Sequence, residues 1–129
     1  MSAITGTTVT NVTLSLNTAA EVAYTAATNT GTLVTDTETF NITPTKSHAT
    51  IILKNVCGAT VTFTLLDGEM WAAIGDLAAI SVTSGKVYAL NVDTAKYKTN
   101  AGIIKVKATP TAGTALTASS GVGICCVQS

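Results

Sequence analysis

Apolar and polar residues alternate with period two along most of the chain. Val12, Leu14 and Leu16 alternate with Thr13 and Ser15, and Ala20, Val22, Tyr24 and Ala26 follow the same rhythm. Phe40 and Ile42 alternate with Thr39, Asn41 and Thr43, and Ile51 and Leu53 share one face of the run Ala49–Val56. Val61, Phe63 and Leu65 alternate with Thr60, Thr62 and Thr64. Ile80 and Val82 come next, then Tyr88, Leu90 and Val92, then Ile104, Val106 and Ala108 against Lys105 and Lys107, and finally Val122, Ile124 and Cys126. Such alternation predicts half-buried strands that each turn one face to a core.

Turn residues separate these runs. Cys57-Gly58, Asp67-Gly68, Ser84-Gly85, Asn100-Ala101-Gly102 and the stretch from Thr109 to Gly113 are the clearest. Asp93 at the head of Asp93-Thr94-Ala95-Lys96 predicts a cap on a single helical turn. The segment Glu69–Ile80 has apolar residues near helical spacing, but Gly75 disfavours a helix interior, so a loop feeding a strand is expected. About eight or nine short strands with short links predict an all-β fold, an antiparallel two-sheet β-sandwich. Consecutive hairpins after residue 48 would make it jelly-roll or Greek-key like. Residues 1–36 have few large apolar side chains and are expected to form an extended N-terminal arm or added strands. Residues 37–129 are expected to be the sandwich domain.

Composition sharpens this picture. About a fifth of the residues are Thr, which suits a pleated surface better than a helix. Hydrophobic residues make up 47% and charged residues 11% of the 129-residue chain, so it has apolar surface enough to fold. Seven Lys, with no Arg, balance seven Asp and Glu. A nucleic-acid binder needs a positive excess, so none is expected, whereas zero net charge favours association. The N-terminal residues show neither a basic start nor an apolar run, so no signal peptide is expected and synthesis in the cytoplasm follows. No apolar stretch approaches the roughly 20 residues of a membrane helix.

Residues with catalytic potential are sparse. His48 is the one imidazole, and no Gly-x-Ser-x-Gly elbow accompanies it. Paired carboxylates for acid–base work could be sought in Asp67, Glu69 and Asp76, with Asp67-Gly68 better explained as a turn. Asp36 and Glu38, just before a strand, are expected to be solvated. No catalytic, cofactor or metal site is expected. Of the three cysteines, Cys57, Cys125 and Cys126, buried free thiols are expected. A Cys57 bridge to the C-terminal strand is the alternative, and metal or redox chemistry a third. Because Cys125 and Cys126 are adjacent in a strand, at most one should face the core. Two features suggest protein contacts. Lys96, Lys98, Lys105 and Lys107 concentrate positive charge on one expected hairpin, either as a solvated face or as a patch for an acidic protein surface. Met70 and Trp71 are either core residues or a loop-borne anchor, of the kind enriched at interface centres.

The stretch from Phe40 to Val106 resembles a group of small bacteriophage virion proteins that decorate or cement capsid shells. The resemblance is carried by FNITPTKSHATIILKN, ATVTFTLLDG, GDLAAISVTSGKVYALNVDTAKYK and GIIKVKA. It implies a non-enzymatic protein at the virion capsid surface that needs no cofactor. Its partners would be the major capsid protein lattice and further copies of itself, a trimer among the expected forms. The alternatives are a tail, baseplate or fibre component, or a host-surface carbohydrate-binding module using Trp71.

Overall fold

The computed structural model describes residues 3–68 and 75–129. In chain order it contains β1 (Ile4–Thr8), β2 (Asn11–Thr13), β3 (Thr25–Ala26), β4 (Glu38–Ile42), β5 (His48–Val56), β6 (Val61–Leu65) and β7 (Ile80–Val82). These are followed by β8 (Lys86–Asp93), the one-turn helix α1 (Thr94–Tyr97), β9 (Ile104–Thr109) and β10 (Gly121–Gln128). The strands form two five-stranded sheets. The first has the order β1-β4-β9-β6-β7; the second has the order β2-β10-β5-β8, with β3 also on β10.

Both sheets feed one core. The period-two pattern turns Phe40, Ile42, Phe63 and Val106 of the first sheet into the same buried cluster as Ile51, Leu53, Val122 and Ile124 of the second. The result is a sandwich-like all-β architecture. Asn55 links the layers with polar contacts: its amide donates to Val82 O and Ala59 O, both at 2.7 Å, while its Oδ1 accepts the Cys57 N–H. The expected helical turn is present, with Asp93 Oδ1 accepting the Ala95 N–H at 3.0 Å.

The sheets are mixed rather than antiparallel throughout. β1 runs parallel to β4 and β2 parallel to β10; the other pairings are antiparallel. The expected series of hairpins after residue 48 is reduced to β6–β7. Each of the other consecutive strands from β4 onward lies in the opposite sheet from its predecessor. The parallel pairings arise because residues 4–13 run in one direction past both layers. The segment adds an edge to the first sheet, buries Val9 in the core, and then adds an edge to the second.

The two alternating runs near the N-terminus form much less strand than their pattern predicts. β2 stops at Thr13 and β3 spans two residues, leaving Leu14, Leu16, Val22 and Tyr24 exposed. β10 supplies the reason. β2 occupies its edge from Cys126 to Gln128 and β3 occupies Gly123 and Ile124 of that same strand. No length of edge remains, so residues 14–24 must leave the sheet.

Asp36 and Glu38 are fully buried, contrary to the solvated positions expected of them. Glu38 Oε1 accepts the Thr28 and Asn29 backbone N–H groups, each at 2.8 Å, and Oε2 accepts the Thr7 hydroxyl at 2.8 Å and the Thr28 hydroxyl at 3.4 Å. Asp36 Oδ2 accepts the Leu33 N–H at 3.0 Å. Its carboxyl group fills the space where Gly31 has no side chain, since a Cβ there would collide with it. A buried carboxylate is tolerated only when its acceptor sites are filled, and the donors for Glu38 come from residues 7, 28 and 29.

Glu38→Ala strands those donors and is expected to destabilise the fold by about 3 kcal/mol or more. Glu38→Gln keeps one carbonyl acceptor and is expected to cost clearly less. Urea denaturation of both variants checks the order. Phe63→Ala, which opens a cavity between the sheets, is expected to cost about 3–5 kcal/mol in the same assay.

Candidate functional site

Three strands of the first sheet present their polar positions on one outer face. Cross-strand register aligns Thr39, Lys107 and Thr64 in one row and Asn41 with Lys105 in the next. β1 extends the rows with Thr5 and Thr8. The other paired strand positions on this face are Thr and Ser, so these positions carry two ammonium groups and no carboxylate. Thr5, Gly6, Thr39, Asn41, Leu66 and Lys105 line a shallow cavity of about 240 Å³ at its centre. The buried Oδ1 of Asn41 has no hydrogen-bond partner there.

The four lysines singled out in the sequence do not form one patch. Lys105 and Lys107 share the outer face. Lys96 is in the last turn of α1 and is exposed. Lys98 pairs with Ile104, whose side chain is in the core, so it lies on the opposite side of the pairing from Lys105. Next to α1, Gly68 meets the backbone of residues 96–98 so closely that any Cβ would clash with it. This contact, rather than a positive φ, accounts for glycine at the Asp67-Gly68 turn. The Asp67 N–H donates to Asp76 Oδ1 at 2.6 Å, so Asp76 closes the base of that loop. Met70, Trp71 and Glu69 lie outside the described residues.

His48 starts β5 and is exposed; its Nδ1 lies 3.2 Å from the adjacent Ser47 hydroxyl. Asp93 stands opposite His48 in the β5–β8 pairing, but one of its carboxylate oxygens is committed to capping α1. Among the described residues no group of three or more His, Cys, Asp and Glu side chains is placed to hold a metal ion. No helix there is long and apolar enough to cross a membrane.

No family model, curated protein or solved structure matches this chain.

All three cysteines are free and buried. Cys126 belongs to the core as expected of one member of the adjacent pair. Cys125 points to the other face and is nonetheless fully buried, which the alternation rule does not foresee. β10 is an interior strand, and Tyr24, just before β3, lies on that outer face. Tyr24 lies against Gly123, where a Cβ would crowd its ring, and Lys54 Nζ is 5.0 Å from the centre of the same ring. Burial raises both thiols above their ordinary value of 9.0, Cys126 to about 11, with the neighbouring Cys125 adding a smaller push.

The sequence contained the polar halves of the alternation on β4, β6 and β9, but not the pairing that sets them side by side. That pairing is what makes Thr39, Asn41 and Thr64 part of the lysine face. In the second sheet, pairing leaves Val87 and Tyr88 of β8 exposed at an edge.

The thiol shift has a direct consequence for stability. The fold holds Cys126 as the neutral thiol, whereas the unfolded chain ionises it from pH 9.0 upward. Its contribution is complete below pH 9.0 and is lost as pH rises to about 11. Urea unfolding across that interval is expected to show a loss of up to about 2–3 kcal/mol that Cys126→Ala removes.

Proposed function

We propose that this chain is a non-enzymatic structural protein of a bacteriophage virion that decorates and stabilises the mature capsid shell. The observation that carries the reading is the outer face of the first sheet. It is rich in Thr and cationic through Lys105 and Lys107, and its paired strand positions include no carboxylate. Such a face suits an acidic, lattice-forming protein surface. Lysines without arginines make a poor phosphate reader, which favours protein over nucleic acid as the partner. The resemblance of residues 40–106 to capsid decoration proteins supports the same reading and takes in β6, β7 and parts of β4 and β9, though not β1. The finer architecture proposed with it is a β-sandwich of jelly-roll or Greek-key kind, in which residues 1–36 contribute edge strands.

The mechanism is linkage. A protein that binds the mature lattice and not its precursor stabilises the mature form by mass action. Repetition of weak contacts over a shell adds avidity where copies also touch one another. No bond is made or broken, and the protein acts from the capsid surface after synthesis in the host cytoplasm.

Co-sedimentation with expanded capsids lacking the protein, beside unexpanded shells, tests the reading. Saturable binding to the expanded form alone is expected. Lys105→Glu with Lys107→Glu is expected to weaken that binding about tenfold or more and to reduce its salt dependence. Binding to neither shell overturns the capsid role; undiminished binding by the double variant overturns the assignment of the face.

A further inference from the structure

We infer that β8 is the surface through which two copies of this chain associate, pairing antiparallel about a two-fold axis at Ala89. β8 forms one edge of the second sheet and is the longest edge strand among the described residues. Six of its eight residues are exposed. Its register against β5 runs without a bulge from Lys86 opposite Asn55 to Asp93 opposite His48. The strand has no proline, and its exposed residues include Val87, at 54% exposure, and Tyr88, at 45%. An edge of this length and apolarity, without a bulge and with no covering segment among the described residues, is a template for another strand.

The side-chain pattern selects a second copy as that strand. A two-fold axis normal to the sheet sets residues of the same face opposite one another. With the axis at Ala89, Tyr88 stands opposite the partner's Leu90. Both belong to the core-facing side of β8, and both retain exposed surface, since Leu90 is only half-buried against the core. The pairing therefore carries the core across the interface. Moving the axis to Leu90 sets Tyr88 against the partner's Val92, which at 4% exposure has almost nothing left to bury. The ends agree with this direction. Antiparallel pairing brings the Lys86 end of one strand to the partner's Asp93 end, whereas parallel pairing would bring like charges together. A chain of zero net charge has no overall repulsion to oppose self-association. The two second sheets become one continuous sheet, and the outer faces bearing Lys105 and Lys107 remain free.

The inference is independent of the capsid reading, because it is tested on the purified protein alone. Light scattering is expected to show a dimer for the native chain. At the axis, the Cα separation of about 4.5–5.5 Å for opposed antiparallel residues suits a disulfide. Ala89→Cys is therefore expected to give an interchain disulfide under mild oxidation, several-fold faster than Asn91→Cys, which stands opposite the partner's Val87. Ala89→Lys places two ammonium groups together and is expected to weaken the dimer about tenfold or more. Its circular dichroism should be native-like, because Ala89 is exposed in the single chain. A chain that stays monomeric overturns the inference, as does a dimer indifferent to Ala89→Lys. Cross-linking through Asn91→Cys in preference to Ala89→Cys overturns the register.

Discussion

A buried carboxylate must have its acceptor sites filled, and in this protein the donors to Glu38 come from distant parts of the N-terminal third. The Thr7 hydroxyl, the Thr28 and Asn29 backbone N–H groups and the Thr28 hydroxyl converge on it. Satisfying that one side chain sets β1 beside β4 and brings the chain after β3 back to the start of β4. Once β1 is placed, residues 9–13 have one continuation, through the buried Val9 to the free edge of β10. The edges of both sheets thus depend on a charge that would be expensive to bury unsatisfied.

The second sheet is secured at its far end by another polar hub. Gln128 donates to Thr13 and Thr45 hydroxyls and accepts the Thr45 N–H, tying β10 to β2 and to the turn before β5. With Asn55 joining the layers, the polar hubs sit at strand ends, while the middle of the core is apolar. This division leaves the two sheets with different exteriors. The first shows Thr and Lys in registered rows. The second has Tyr24 lying against Gly123 and ends in the apolar edge β8. The surfaces proposed for a lattice and for a second copy lie on different sheets, so the two proposed contacts do not compete.

Much of the strand pattern was legible because burying one face of a strand imposes a period of two. Phe40 and Ile42, Val61 to Leu65, and Ile104 to Ala108 are strands for that reason, and Asp93 caps α1 because a short acceptor at that position meets free N–H groups. The same rule overreached at Leu14, Leu16 and Val22, where alternation is present but no edge of β10 remains to pair with. Two further expectations failed, at Glu38 and Cys125. Charge suggests solvent for the first and outward alternation suggests it for the second, yet long-range partners cover both.

The local chemistry of the sequence determined that the chain is all-β, where many of its turns fall, and that it carries few charges and none in net. These properties depend on neighbouring residues and on composition. Tertiary structure decided the mixed pairing, the crossing of successive strands between layers, and which of four nearby lysines share a face. It decided that Lys105 and Lys107 stand beside Thr39 and Asn41, and that β8 is left at an edge. The reason is common to all of them: a strand carries its periodicity within itself, but its neighbour comes from a distant part of the chain. That choice is made by the shared core and by polar groups that must find partners within it.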